Sequence, residues 1–410
     1  MTDAPCHDLG GTLRARLPEQ TWAQVQPILR RVGITRVARI TGLDHIGIPV
    51  SVAVRPGGRL LSTSQGKGVT DILADLSAIM ESIETWHAEN LPPADVVTTA
   101  AAIRRAPRTF ARDAAPVDVV DTRALPTLRG PLDENRELGW LWGRELFSDH
   151  RVLLPRDCFD LNTTDRGREG RGLLFTPVTT GLSSGNTWLE ATLHGLYEAI
   201  ERDAHARFNA VVGEERQRLR VDLTSVQDAV NRALIDRIQA AGLELEIYDM
   251  TSSIGVPAFY AYLRQPDAGS RCFVDEGMGA HLRPEIALSR AITESAQSRL
   301  AYISGSRDDI YPHVYRQDRL RYEQRIDDRT GLRGRDFAMC ARPSGESGAA
   351  GGLPTWNDQL RTVLSRLQQA GIGRAYALDL TRDDIGVPVV FIFCPGLRDP
   401  FREGDGVGAA

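Results

Sequence analysis

The residues of this chain best suited to chemistry are glutamates set three apart behind clusters of small residues. Gly68 in Gly66-Lys67-Gly68 precedes Glu81 by 13 residues, with Glu84 three further on; Gly185 in Ser184-Gly185-Asn186 stands in the same relation to Glu198 and Glu201. Helical positions three apart share a face, so each pair aims two carboxylates in one direction. A looser copy runs from Gly277-Met278-Gly279-Ala280-His281 to Glu294 and Gln297, where an amide replaces one acid and can coordinate or hydrogen-bond without bringing charge. Glu190 lies 8 residues before Glu198 and 11 before Glu201. At about 100° per residue the three fall within a narrow arc, with Asn186 one turn earlier on the same side. A lone Glu-x-x-Glu pair is ordinarily a solvated helix face. Here Leu189, Leu193, Leu196, Tyr197 and Ile200 flank the stripe, so it borders the core.

Partly buried together, Glu81, Glu84, Glu190, Glu198 and Glu201 would repel one another and their pKa values would rise unless cations neutralise them. Mg²⁺ suits the role, because it takes oxygen ligands and bridges carboxylates to nucleotide phosphates. Arg202, Arg290 and Lys67 could hold the remaining phosphate oxygens. Lys67 is the only lysine; every other one of the 49 Lys and Arg residues is arginine. Set between two glycines, it is a candidate phosphate contact. The expected site is thus a carboxylate-rich nucleotide site of unusual type.

The familiar alternatives fail on particular residues. Leu61 stands where a Walker motif needs its first glycine, Gly68 replaces its hydroxyl residue, and Leu282 replaces the last glycine of a dinucleotide fingerprint. Glu84-Thr85-Trp86-His87 matches the Glu-x-x-His of di-iron bundles, helped by His205, but those require an all-α bundle with a second such motif. His87, His194 and His205 read as packed or surface histidines; His281, inside the third motif, is a candidate for the site. Ser183-Ser184 reads as readily as a helix-start device as a nucleophile. No Cys–His or Ser–His pair can be assembled.

The elements that must position these residues are expected to be interleaved strands and helices, giving an α/β (α+β) fold of duplicated strand, glycine-loop and helix units around one cleft. Helices are expected over 18–31, 70–89, 187–212, 225–242, 284–303 and 356–370. Strands are expected over 40–54, on to Leu61, within 138–154, and over 243–248, 375–380 and 388–393. Residues 100–135 read as extended or loop, 162–171 as a mobile loop, 304–353 as an insertion or lid, and the end of the chain as a loose tail. A second echo, Asp44-His45-Ile46-Gly47-Ile48-Pro49, Ser253-Ile254-Gly255-Val256-Pro257 and Asp384-Ile385-Gly386-Val387-Pro388, opens three apolar runs.

At 410 residues the chain can bury a large core as one big domain or two intimately packed ones. A net charge of −5 argues against general nucleic-acid binding. Five scattered cysteines without a Cys-x-x-Cys pair fit a reducing cytoplasm, and no apolar run of about 18 residues suggests a membrane span. A soluble, cytoplasmic protein is expected.

Taken in order, these motifs resemble the YcaO family of ATP-dependent enzymes that activate peptide backbone amides. The likeness rests on Thr41-Gly42-Leu43-Asp44 with Gly47-Ile48-Pro49, Gly66-Lys67-Gly68, Ser77 through Glu84, and Gly185-Asn186-Thr187 through Glu190, Glu198, Glu201 and Arg202. It continues through Gly279-Ala280-His281, Arg290 to Glu294 and Gln297, and Ser304-Gly305-Ser306-Arg307-Asp308-Asp309. It spans about residues 10–398, read as one domain, with 399–410 as the tail. The details are most similar to stand-alone members that work with a TfuA partner; Thr85 stands where many members carry arginine, and the Pro-x-Pro-x-Pro ending of azoline-forming enzymes is missing. The resemblance implies ATP and Mg²⁺ as cofactors, with Glu81 and Glu84 facing Asn186, Glu190, Glu198 and Glu201 across a cleft. It also implies Ser77, Ser184 and Gln297 at the site, and Arg14 and Thr21 as further nucleotide contacts. The implied reaction is addition of a nucleophile to an amide carbon, phosphorylation of the oxyanion and loss of phosphate. Azoline or thioamide is the expected product, macroamidine the next choice, with the nucleophile left open. A ribosomal precursor peptide, a TfuA-like or leader-binding partner and a homodimer are the implied partners. From another class, the chain could be a nucleotide-binding accessory protein.

Overall fold

The computed structural model describes residues 4–110, 118–128, 130–164, 174–265, 274–310, 334–340 and 355–399. A small hairpin, β1 (His7–Asp8) and β2 (Leu13–Arg14), leads into helix α1 (Pro18–Val25). Strands β3 (Arg36–Arg39), β4 (Val50–Val54) and β5 (Thr63–Lys67) form an antiparallel sheet backed by α2 (Asp71–Glu89). Then come β6 (Val96–Thr99), α3 (Ala100–Arg105), β7 (Asp118–Val119), β8 (Glu137–Glu145) and β9 (Arg151–Pro155), followed by β10 (Leu182–Ser184) and α4 (Trp188–Asn209). Next are α5 (Gly213–Arg218), β11 (Val221–Asp222) and α6 (Ala229–Ala240), then a second three-stranded sheet of β12 (Glu244–Asp249), β13 (Ala258–Arg264) and β14 (Val274–Ala280) with α7 (Pro284–Ser304). The chain finishes with β15 (Arg335–Asp336), α8 (Trp356–Gln369), β16 (Tyr376–Asp379) and β17 (Val389–Phe393). Seven strands make the largest sheet, ordered β10-β17-β16-β8-β9-β7 with β6 also on β8. The mixed α/β class expected from the sequence is what the structure shows.

Three units repeat one construction. In each, an Ile-Gly-(Ile/Val)-Pro turn feeds a central strand; Gly47, Gly255 and Gly386 sit at φ 75°, 76° and 73°, a region closed to most side chains, while the isoleucines beside them are buried. The central strands β4, β13 and β17 pair antiparallel with β5, β14 and β10. The proline carbonyls then accept equivalent bonds: Gly68 N to Pro49 O at 3.2 Å, His281 N to Pro257 O at 3.0 Å and Gly185 N to Pro388 O at 3.1 Å. Each paired strand passes directly into an acidic helix. The units close cyclically, α2 also touching β10, α4 touching β14 and α7 touching β5, as about a pseudo-threefold axis. In the unit that includes β10 and α4 the turn and central strand come last in the chain.

The glycines work differently from expectation. Gly66, Gly277 and Gly279 lie in strands. A methyl on Gly66 would stand 2.0 Å from Ala78 N, and one on Gly279 2.1 Å from Ala287 O, so the missing side chains let helix backbone lie on strand backbone. In the remaining unit Ser183 replaces the strand glycine, bonding Ala191 O at 2.8 Å, and the helix is relieved instead at Gly195. The glycines are therefore packing devices.

Other boundaries shift for local reasons. Pro27 lies in a 3₁₀ turn that ends α1 early, and of the strand expected over 40–54 only Val50–Val54 is strand: the Thr41–Leu43 turn and the Gly47 bend occupy the first part and separate it from β3, which ends at Arg39. The strand expected to reach Leu61 instead starts at Thr63. Residues 100–110 hold a helix and a 3₁₀ turn. Of the expected loop 162–171 only Asn162–Thr164 are described, with Asn162 buried. Within 304–353, Ser304–Ile310 and 334–340 are described; β15 pairs with β11 and Phe337 is buried, so this part is docked on the body. The tail beyond Asp399 lies outside the described residues; Asp399 itself is buried.

Apolar packing fixes the helices that carry the acids. Ile79 and Ile83 of α2 join Trp140, Leu153 and Phe391; Leu288 and Ile292 of α7 join Phe259 and Ile235; Leu193, Leu196 and Ile200 of α4 join Val363 and Ile392.

Candidate active site

On these otherwise buried helices the half-open positions form stripes: Ser77, Glu81 and Glu84 on α2; His194, Glu198, Arg202 and His205 on α4; Arg290, Glu294 and Gln297 on α7. Counting forward from the nitrogens of the repeated proline bond, Glu81, Glu198 and Glu294 are equivalent, as are Glu84, Glu201 and Gln297. Cyclic packing turns the stripes towards one another. Glu84 reaches from α2 to the next unit, accepting from Ser184 N at 2.8 Å and Ser184 Oγ at 2.6 Å; Glu201 does the same one unit on, accepting from Ala280 N at 3.0 Å. Glu198 accepts from Gly181 N at 3.1 Å and pairs with Arg202 at 3.8 Å. Lys67 meets Glu294.

Electrostatics follow from crowding. Burial, reinforced by Glu294 and opposed by Arg307 and Lys67, pushes Glu81 up to about 7. Burial with the charges of Glu81 and Glu198 pushes Glu84 to about 8 against the Ser184 bonds. Burial and Glu201 push Glu198 to about 7 in spite of Arg202. Glu201 is likewise raised, by burial and then Glu294. Burial pushes Glu294 upward too, but Lys67, Arg202 and Arg290 outweigh it and hold the carboxyl below its usual range. Burial is the first cause of each rise, and neighbouring acids add to it where local cations do not offset them.

At the other end of α4 a second group assembles. Glu190 accepts from Ala15 N at 3.0 Å, Asn186 N at 3.1 Å and Asn186 Nδ2 at 3.2 Å, with Arg14 at 3.4 Å, while Thr21 Oγ1 donates to Asn186 Oδ1 at 2.8 Å. Eight residues of helix separate Glu190 from Glu198, about 12 Å. Glu190 is satisfied by protein donors and anchors the N-terminal segment, so the row read as one stripe divides into two groups. The side chains of Ser77 and Gln297 have no hydrogen-bond partner among the described residues.

Arg307 was missed as a site residue. It follows α7, bonds Asp309 at 2.8 Å and 2.5 Å, and is the first charge opposing the rise of Glu81. Its presence in the Ser304–Asp309 motif was the available signal. His281 does lie at the junction of units, packed on Tyr197 with ring centroids 4.7 Å apart, and burial together with Arg290 holds it down at about 3, neutral. His205 stacks on Tyr260, and His87 is buried in the core with Nδ1 on Ile83 O. An open cavity of about 690 Å³ lies elsewhere, between Arg220–Leu223 and Leu243–Glu246.

Does this cleft fit Mg²⁺ and ATP? Among the described residues no three His, Cys, Asp or Glu side chains stand together as a ready metal cage. Mg²⁺ does not need one, since it commonly takes one or two carboxylates and fills the rest of its octahedron with phosphate oxygens and water. The raised carboxyls supply such ligands. Arg290, with Nε buried and unpartnered, supplies an uncommitted cation for an anion. The donor set fits.

Fold and cleft define an α/β protein that concentrates carboxylates where cations must join them. The family model described as YcaO cyclodehydratase, ATP- and Mg²⁺-binding, matches residues 65–398, and the chain belongs to that family. An uncharacterized protein in the tfuA 3′ region of Rhizobium leguminosarum bv. trifolii is 37% identical over 392 residues, 94% of this chain and 88% of that one. An uncharacterized protein of Methanothermobacter thermautotrophicus is 32% identical over 403 residues, covering 94% and 96%. YcaO from Methanopyrus kandleri bound with AMPPCP and Mg²⁺ shares the fold at TM-score 0.70 and 22% identity, over 97% of this chain and 95% of that one. A heterocyclase in complex with substrate and cofactor also superposes at TM-score 0.70 and 22% identity, over 94% of this chain but 53% of its own. No helix among the described residues is long and apolar enough to cross a membrane.

Proposed function

We propose that this chain uses ATP and Mg²⁺ to activate a backbone amide of a ribosomally made peptide by O-phosphorylation, yielding an azoline or a thioamide. The observation that carries this reading is the cyclic convergence of acids with raised pKa values, from separate helices, beside an unpaired arginine. Glu81 and Glu84 would hold metal from one side, Glu198 and Glu201 from the other. Arg202 and Arg290 would take phosphate oxygens, with Ser77, Ser184 and Gln297 as neutral donors. Lys67 would share itself between Glu294 and phosphate. Arg14, Thr21 and Asn186 would contact the nucleotide at the far end of α4, with Glu190 fixing that segment. Bound ATP supplies the phosphoryl group for the amide oxygen; the protein's part is to orient it and offset its charge, which is most of the catalysis in phosphoryl transfer.

The description of the family as a cyclodehydratase and the likeness to a heterocyclase solved with its substrate support a heterocycle-forming reaction, and the relative named for its place beside tfuA supports a TfuA-like partner. ATP hydrolysis measured with and without a candidate precursor peptide tests the reading. Peptide-stimulated turnover that Glu198→Gln or Glu201→Gln abolishes is expected. Peptide mass then separates products: loss of water for azoline or amidine, exchange of oxygen for sulfur for thioamide. A second reading is an accessory role, favoured by the Escherichia coli relative named as a ribosomal protein S12 methylthiotransferase accessory factor, 32% identical over 124 residues. Tight nucleotide binding without turnover under any peptide or partner condition would select it.

A further inference from the structure

The pseudo-threefold arrangement assigns a role to a side chain that the sequence reading set aside as packing. Four residues before the equivalent glutamates Glu81, Glu198 and Glu294 stand Ser77, His194 and Arg290. They occupy the same turn of α2, α4 and α7, and all three belong to the half-open stripes facing the cleft. Two of the three are nucleotide contacts in the reading above. The third is His194.

Its geometry shows what it does. His194 Nε2 lies 3.2 Å from Arg290 Nη1, and a guanidinium can only donate, so Nε2 is an acceptor and the imidazole is neutral with its proton on Nδ1. Burial and the charges of Arg290 and Arg14 disfavour the imidazolium, in agreement. Nδ1 faces the backbone of Ser184 without a well-formed hydrogen bond. Arg290 forms no ion pair among the described residues and its Nε has no partner, although Glu198, Glu201 and Glu294 all feel its charge. A carboxylate partner would have neutralised the guanidinium; a neutral imidazole aims it and leaves its charge unspent.

We infer that His194 is a positioning residue, which holds the Arg290 guanidinium uncommitted and pointed at the phosphates of a bound nucleotide. The inference rests on the nucleotide reading, and its test separates the two. Binding of AMPPCP with Mg²⁺ is measured by calorimetry for wild type, His194→Leu and His194→Gln, with melting curves confirming that each variant is folded. Leucine removes the acceptor and should weaken binding about tenfold, the scale of an orienting bond to a charged group; glutamine, whose amide oxygen can accept from Arg290, should recover most of it. His194→Phe is a second acceptor-free variant should the leucine protein not fold. Failure of wild type to bind AMPPCP would sink the nucleotide reading and this inference with it. Wild-type binding unchanged in the leucine or phenylalanine variant, or equally weak in the glutamine variant, would overturn the role of His194 alone.

Discussion

At the scale of single residues, the cleft is an arrangement of acids held against their own repulsion. Glu81, Glu84 and Glu198 have folded-state pKa values of about 7, 8 and 7, above their ordinary 4.5. A carboxyl raised on folding is one whose protonated form the fold favours, so its contribution to stability is fully present below pH 4.5 and is lost as pH climbs through 7 and 8. Cation-free protein should therefore melt at a lower temperature at pH 8.5 than at pH 6, and Glu84→Gln should flatten that dependence. Mg²⁺ with AMPPCP should restore the melting temperature at high pH, because binding only the folded state stabilises it. Melting that is indifferent to pH across this window in the cation-free protein would mean that the acids ionise freely in solvent. Lys67 tests the same balance from the other side. It is the first of the cations that draw Glu294 below its usual range, ahead of Arg202 and Arg290, so Lys67→Met should leave a further acid less well compensated. The variant should then show a steeper loss of melting temperature from pH 6 to pH 8.5 than wild type.

At the scale of elements, two sorts of glycine separate cleanly, and the sequence alone did not tell them apart. Gly66 is needed for space, since an added methyl would meet Ala78 N at 2.0 Å and Ala74 O at 2.3 Å. Gly47 is needed for its backbone angle, with nothing near the missing side chain. Gly66→Ala must push α2 off β5 and should cost about 3 kcal/mol or more, with loss of nucleotide binding as Glu81 and Glu84 move. Gly47→Ala should cost about 1–2 kcal/mol and leave binding intact. Denaturant unfolding of both variants checks the ordering, and a Gly66→Ala protein as stable as wild type would mean that the helix does not rest on the strand. The helices themselves were legible, because a three-and-four spacing of acids beside a continuous apolar face is a local pattern. The β5, β10 and β14 strands were not. Thr63–Lys67 and Val274–Ala280 are polar or glycine-rich and are made strands by their partners β4 and β13, which a local reading cannot supply. The same limit explains Glu190, whose carboxylate sits on the expected stripe but is captured by backbone nitrogen from Ala15, 175 residues away in sequence.

At the scale of the whole molecule, the ring is closed by the very groups that are proposed to bind ligand. Glu84 ties α2 to β10 through Ser184, Glu201 ties α4 to β14 through Ala280, and Lys67 ties β5 to α7 through Glu294. Each contact joins neighbouring units and each includes an acid in an unfavourable electrostatic environment or its compensating cation. Metal-free protein should therefore be least secure along these three seams, while the apolar packing behind each helix stays fixed. Mg²⁺ with AMPPCP would offset carboxylate charge at the Glu84 and Glu201 seams and engage Lys67 at the third. Hydrogen exchange followed by mass spectrometry should show amides of β5, β10 and β14 and the inward turns of α2, α4 and α7 gaining protection together on ligand addition. The edge strand β7 and helix α8 should change little. Protection confined to one unit would show that the acids act as separate local sites, and would remove the physical reason for building the cleft from three copies of one motif.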